Sequence, residues 1–445
     1  MQADKDIKTS FITRDTRETD DESFVLRGKA QMEILDEDVE TDCEITCKTL
    51  TSNAPSFYLG SIPFMFNRMN PYLLNLISLA FVAFYGSATM TAGFGLGNAI
   101  FMFFWQTFTQ VNGETQGITC SKAFGSGDYQ LMRLSFYRGF SWNIMVTLLS
   151  CVIYYYMDII LLAAGFEKEM VTQAHAMVVS ILPALFFQTV NEMLRNYLMS
   201  QKVQKPFVWI NLASFLFFPF GGYYIIYASN WGIAGFGLFK IIVEVISMIG
   251  LIIAMKVYGH PESIRRESLK LIFEKKAVLQ YMKDYGKILL GWYASYFGLE
   301  INTILVGLMQ DTVAMACWVS YMNIFTITWT MGSGLAITTR TQCGLSIGAN
   351  KPMQAKKYAY QGFIYAFIYS VFSGSLLLCI RHYLANMFTE VPAVLPSLEY
   401  QVMLAGVLCF VSVTGPTGST IFRVIDKAGA YSLVMICNQV FLSTT

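Results

Sequence analysis

Eleven predominantly apolar stretches recur through residues 55–445, and they dictate what this chain can fold into. Each is long enough to cross the ~30 Å hydrocarbon core of a bilayer as a helix. A spanning segment must satisfy its own backbone hydrogen bonds, so the choice lies between helices and a closed barrel. Barrel strands alternate polar and apolar residues over stretches of about ten. Runs such as Ile144 to Tyr156 and Ile241 to Met255 show no alternation. With 54% hydrophobic and 14% charged residues, the chain lies outside the range of water-soluble domains. The expected fold class is all-α: a polytopic membrane protein.

The expected spans lie near 55–84, 90–116, 138–162, 171–199, 207–228 and 232–257, then 286–309, 312–338, 358–385, 394–421 and 429–445. They imply a six-helix bundle over residues 54–258, a charged linker over 259–285, and a second bundle over 286–445 with five helices, as if truncated. Residues 1–53 hold 14 Asp and Glu against 7 Lys and Arg. With few aromatics and no apolar run, they read as a disordered acidic tail on the cytosolic side. Alternate loops support that orientation. Those on the tail's side carry 19 Lys and Arg, Arg340 and Arg423 among them, whereas those on the other side carry only Lys168 and Arg381. Positive charge resists translocation, so the basic end reads as cytosolic.

The two helix sets echo each other at an offset of 223 residues: Cys120 with Cys343, Gly125 with Gly348, Tyr137 with Tyr360, Gly139 with Gly362. Duplicated halves around a midplane cavity, rocking to give alternating access, are the expectation.

Ionisable groups at membrane depth cost about 2.5 to 3.5 kcal/mol each and invite functional readings. In the first half the acids Glu114, Glu192 and Glu244 are balanced by Arg68, Arg195 and Lys240. Glu192 with Arg195, and Lys240 with Glu244, stand three and four residues apart, so each pair shares a helix face and is expected to neutralise itself as structural glue. Glu300 differs. It lies 13 residues beyond Lys287, ~20 Å into the membrane, with no base of the second half at that depth. Desolvation favours the neutral form of a lone carboxyl, which can then trade a proton for a cation. Glu300 is the expected proton- or cation-binding residue. Tyr293, Tyr296, Trp318, Tyr321 and Trp329 are candidates for a cation–π-lined substrate path, although 15% aromatic content makes packing the plainer role. Asn70-Pro71 and Pro183 would let helices bend.

Nine cysteines lie mostly in apolar stretches and suggest no disulfide framework; Cys43 and Cys47 lack a second ligand pair for zinc. The three histidines form no H-E-x-x-H arrangement and no P-loop occurs. Neither an enzyme, a cofactor, a metal centre nor nucleic-acid binding is expected, and energy for transport would come from an ion gradient.

Cys120 to Tyr129, read as Cys-Ser-Lys-Ala-Phe-Gly-Ser-Gly-Asp-Tyr, resembles the loop after the second helix of multidrug and toxic compound extrusion transporters. Gly334-Leu335-Ala336 with Arg340 and Gly348-Ala349-Asn350 resembles that family's loop after the eighth helix, and Leu198 to Pro206 its loop after the fourth. Gly298-Leu299-Glu300 followed by Ile304 to Gly307 resembles its seventh-helix motif, whose Glu is tied to proton coupling. The resemblance runs from about residue 55 to the end. It implies two six-helix bundles in a eukaryotic-type antiporter that exports organic cations or other amphiphiles for protons, with sodium as the alternative ion. It also implies a monomer in the plasma membrane or a vacuolar or endosomal membrane. Lys122 replaces a frequent Gln, Asn-Glu before Gly348 is absent, and no acid lies in the first helix or mid-tenth, where Phe410 and Val411 stand. Arg68, Arg195 and Lys240 sustain a second reading, a lipid or oligosaccharide flippase with a basic cavity. The acidic tail sustains a third, a non-transporting receptor or scaffold.

Overall fold

Turns, several at residues of positive φ, punctuate the apolar stretches, and in the computed structural model the intervals between them are helical, with Pro63, Pro71 and Pro183 inside helices. The structure describes residues 54–85, 88–229, 231–265, 267–309, 312–388 and 395–433. It leaves out the side chains of 54–56, 83–85, 88, 227, 264, 294–301, 304, 307, 312–313, 315–316, 387–388 and 411. The acidic tail, with Cys43 and Cys47, lies outside the described residues, as do residues 434–445 of the eleventh expected span.

The first half comprises α1 (Ala54–Tyr85), α2 (Ala88–Phe101) continued by α3 (Thr107–Gly125), α4 (Tyr129–Tyr155), the short α5 (Met157–Ala163), α6 (Lys168–Ser200), α7 (Lys205–Gly222) and α8 (Gly232–Tyr258). Short α9 (Leu269–Ile272) precedes the second half, which comprises α10 (Lys275–Leu308), α11 (Thr312–Gly348), α12 (Pro352–Phe388), α13 (Leu395–Ser412) and α14 (Gly415–Val424). No strand occurs among the described residues, as the apolar pattern requires.

Helix ends depart from the hydropathy boundaries in one direction. The second span runs to Gly125 rather than 116, the seventh begins at Lys275 rather than 286, inside the expected linker, and the eighth runs to Gly348 rather than 338. Hydropathy detects only the apolar part of a helix, whereas the helix itself stops where the backbone turns. Gly127 (φ 74°) stops α3 and Asn350 (φ 58°) stops α11, both left-handed conformations that Gly and Asn tolerate. The tenth span also differs. It divides into α13 and α14 at residues 413–414, just before Pro416, which starts the second piece.

Two π-helical turns interrupt the first half, one of them, Tyr223–Ala228, following Pro219. The turn Met102–Gln106 frees the Trp105 amide, which donates to the Tyr154 hydroxyl at 3.0 Å. Trp105 is fully buried, and its indole N–H donates to Thr147 Oγ1 at 2.8 Å, anchoring the first half's core with Phe94, Phe236 and Phe239. A separate core of Tyr321, Phe325, Tyr369, Leu398 and Val402 holds the second half. Large apolar side chains also face outward, among them Leu149, Trp209, Phe220 and Phe372. A bilayer, rather than water, makes that surface affordable.

The duplication extends well beyond the four identities in the sequence. Cys120 Sγ meets the Met132 carbonyl at 3.6 Å and Cys343 Sγ the Ala355 carbonyl at 3.3 Å, the same contact 223 residues on. The turn with Lys202 at φ 59° has its counterpart at Asp426, φ 63°. The halves are pseudo-symmetric.

Six helices are long and apolar enough to span a membrane by composition alone among the described residues: α4, α6, α7 with part of its π turn, α8, α12, and α13 with α14. The first, second, seventh and eighth spans are missing from that set. All four contribute polar residues to the junction of the halves.

Candidate functional site

A cavity of about 700 Å³ lies at that junction, walled by α1, α2 and α3, α6, α10, α11, α13 and α14. Its volume is that of a small-molecule site. Along α11 the wall includes Trp318, Met322, Asn323, Trp329, Ser333 and Arg340, and the lining is broad, taking in consecutive residues at Phe325-Thr326-Ile327. Asn75 and Asn98, bonded at 3.0 Å, contribute polar wall from the first half.

Five charged side chains line the described wall: Arg68, Glu114, Glu192, Arg340 and Arg423. Arg68 lies 3.6 Å from Glu192 and donates to Gln110 Oε1 at 2.6 Å, and Gln110 in turn donates to the Tyr72 hydroxyl at 3.1 Å. Asn196 donates to Glu192 at 2.9 Å, while its carbonyl accepts from Arg340 Nη2 at 2.9 Å. This chain of bonds links α1, α3 and α6 of the first half to α11 of the second. A second crossing is shorter. Glu114 accepts from Arg423 at 2.5 Å and from the Trp292 indole at 2.7 Å, with Thr420 Oγ1 at 3.3 Å. Buried networks of this kind favour one arrangement of the elements that carry them, although Arg68 Nε and Arg340 Nε have no hydrogen-bond partner.

Next to these bonds, at the basic end, the halves interlock. A Cβ on Gly125 would collide with the Leu345 carbonyl, and a Cβ on Gly348 with the Lys122 carbonyl. Gly125 and Gly348, and Lys122 and Leu345, are equivalent positions of the repeat, so this is one contact made twice across the pseudo-two-fold axis. Positions that face themselves across that axis are complementary in size: Ser121 meets Gly344, and the Arg340 guanidinium lies on Gly117. Further out, Lys122 Nζ bridges both Asp426 oxygens at 2.9 Å. The Asp426 side chain is 83% exposed, and exposed pairs contribute about 0–1 kcal/mol. Lys122→Gln should therefore leave thermal stability and transport within twofold of wild type; a larger loss in a flux assay would contradict this.

The expected site residues fall into three groups. Trp318 and Trp329 line the cavity, with the Trp318 indole donating to Thr303 at 2.8 Å. Tyr321 does not; it stacks on Phe325 in the core. Tyr293 is likewise turned away, its hydroxyl donating to the Phe103 carbonyl at 3.1 Å. The side chains of Tyr296 and Glu300 lie outside the described residues, and only their place on α10 is known.

The expected charge pairs need correction. Glu192 is engaged by Arg68 of α1 and not by Arg195, because the shared helix face points Glu192 into the cavity where another helix offers a closer partner. Lys240 and Glu244 form no ion pair either. Lys240 Nζ sits 4.2 Å from the centroid of the Phe101 ring, and Glu244 accepts from Asn191 Nδ2 at 2.6 Å. Glu114 is balanced from the other half, by Arg423. A buried ammonium held mainly by an aromatic face is costly, so Lys240→Met should leave the melting temperature unchanged or raised in a fluorimetric melt; a clear fall would contradict this.

Arg340 and Arg423 were counted among loop charges by hydropathy, yet they are 3% and 6% exposed. Their signal lay in the repeat, which aligns Arg340 with Gly117 inside the second helix. Gln110, Asn196, Trp292 and Thr420 gave no sequence signal, since polar residues in membrane helices declare no partner.

Among known proteins, a family model described as MatE matches residues 63–225 and 288–443. Protein DETOXIFICATION 37 of Arabidopsis thaliana is 23% identical over 329 residues, 72% of this chain and 64% of that protein, so the match spans under two thirds of the relative. The crystal structure of the eukaryotic MATE transporter AtDTX14 superposes with a TM-score of 0.75 at 15% identity, covering 85% of this chain and 83% of that one. An outward-facing conformation of a multidrug resistance MATE transporter superposes at 0.69 with 16% identity, covering 89% and 88%. At these identities the structural likeness establishes the fold.

Proposed function

The chain belongs to the multidrug and toxic compound extrusion family, whose members are transporters rather than enzymes, and from that premise we propose that it exports organic cations or other small amphiphiles in exchange for protons. The observation that carries the proposal is the cavity of about 700 Å³ between pseudo-symmetric halves, sealed at its basic end by the Gly125 and Gly348 interlock. A cavity closed on one side by a symmetric seam is what alternating access requires, because the same seam can part while the opposite ends come together.

The basic end is the cytosolic one, by the excess of Lys and Arg there. Substrate enters when the seam is parted and leaves on the opposite side. Trp318 and Trp329 offer apolar and cation–π contact to an amphiphile, and Asn75 and Asn98 offer polar ones. Glu300 is the exchangeable carboxyl, on the same helix as Trp292 and Thr303 of the cavity wall. It holds a proton when substrate is absent and releases it when a cation takes its place. The three arginines of the described wall outnumber its two carboxylates, which favours, as the second reading, a substrate bearing phosphate or carboxylate.

Purified protein in proteoliposomes decides between them. Tetraethylammonium flux should rise with an opposing pH gradient and ignore a sodium gradient. Flux indifferent to pH, or obtained only with anionic amphiphiles, would overturn the cation–proton reading.

A further inference from the structure

We propose that Glu114 is a second proton-binding site, one that works the latch holding the two halves together at the basic end; this rests on the proposed antiport and deepens it. Every hydrogen bond to the Glu114 carboxylate among the described residues comes from the other half: Arg423 and Thr420 of α14, and Trp292 of α10. When the seam parts, the carboxylate loses its counter-charge and all three donors in one movement. An ionised carboxylate left in the low-dielectric wall without donors is costly by several kcal/mol, and taking up a proton removes most of that cost. Closure with Glu114 ionised and opening with Glu114 protonated are therefore linked by necessity.

The surrounding charges support the same direction. Arg340 of α11 lies on Gly117, one helical turn from Glu114, and is bonded to Asn196 rather than to an acid. Arg68 of α1 lies 3.6 Å from Glu192 of α6, with Arg68 donating to Gln110 and Glu192 accepting from Asn196, and Arg195 of α6 borders the same polar seam. Tyr285 and Tyr293 of α10 donate to backbone carbonyls of the second span. On α4, Arg133 is held by Glu267 and Arg138 by linker carbonyls at the far basic end. Arg423, pressed against the rings of Trp292 and Tyr431, is thus the base that Glu114 alone answers.

Glu114 lines the cavity, so a proton can reach it from the side opposite the seam. Protonation there removes the attraction to Arg423, frees the seam to part, and delivers the proton to the basic side. One proton moves in per opening, with no bond made or broken other than O–H, in the direction that an inward proton gradient drives.

Two measurements on the full chain in nanodiscs test this. Infrared difference spectra on acidification should show a protonated-carboxyl C=O band that Glu114→Gln removes and Glu300→Gln retains. Spin labels on Ser126→Cys and Ala349→Cys, across the seam, should move apart on acidification in wild type, stand apart at every pH in Glu114→Gln, and part at higher pH in Arg423→Gln. A purely structural pair predicts instead that both variants loosen the seam with no change in its pH midpoint, and that result overturns the proposal. So does a wild-type seam that ignores pH. Neither readout requires a substrate, so absence of tetraethylammonium flux in the presence of the infrared band would count against the antiport reading alone.

Discussion

Gly348→Leu should prevent the halves from closing at the basic end and reduce transport at least tenfold. The position leaves no room for any Cβ, because the Lys122 carbonyl occupies that space and a backbone carbonyl cannot swing aside as a side chain can. Forcing the volume in costs about 1–3 kcal/mol where neighbours can relax, and more where both surfaces are helix backbone. Each 1.4 kcal/mol shifts the balance between closed and parted states about tenfold. Gly125→Leu should behave alike, since it makes the equivalent contact with Leu345. Gly286→Ala is the control, with nothing within 4 Å of the added Cβ, and should transport like wild type. Flux of tetraethylammonium at matched expression checks all three. Normal flux in both seam variants would show that closure there is not part of the cycle.

Glu300→Gln should abolish concentrative transport while leaving the protein folded. A pH difference of about two units supplies about 2.7 kcal/mol per proton moved, a roughly 100-fold ratio of substrate across the membrane. Gln has the size of Glu but cannot exchange a proton for substrate, and the proton taken up at Glu114 works the seam without competing for the cation, so the variant should equilibrate substrate without accumulating it. The accumulation ratio in proteoliposomes under an imposed gradient measures this directly. Retained accumulation would move the coupling to another carboxyl of the cavity, of which Glu114 and Glu192 are described.

The helices and the duplication were legible because they depend on local properties. Apolar length marks a span wherever it lies, and Cys120 with Cys343 or Gly125 with Gly348 mark equivalent turns whatever packs on them. Helix ends were less legible, since α3 and α11 continue past the apolar boundary until Gly127 and Asn350 stop them, and polar ends do not register in hydropathy. The site was legible only in part. Glu114, Glu192 and Arg68 stood out as charges at membrane depth, but which charge meets which depends on how helix faces from the two halves are brought together. Spacing along one helix suggested Arg195 for Glu192, whereas the partner came from α1, 124 residues away in sequence. Arg423 was hidden for a related reason. It sits near the chain's basic end, so it read as a loop charge, yet the break before Pro416 reorients α14 and carries it inward to Glu114.

That geometry also separates the account from a static scaffold. In a scaffold the cross-half bonds of Asn196 with Arg340 and of Glu114 with Arg423 would be permanent, and the cavity would be a packing defect. In a transporter they must break once per cycle, and the aromatic and polar wall must be reached from each side in turn.

Paired distances at both ends of the junction test this most directly. Spin labels at Ser126→Cys with Ala349→Cys report the basic end, and labels at Thr91→Cys with Ala314→Cys report the opposite one, measured in nanodiscs with and without tetraethylammonium. Alternating access requires two populations in which the basic-end pair lengthens as the other shortens, with substrate changing their ratio. Distances that stay single and fixed at both ends, or that lengthen together, would contradict it.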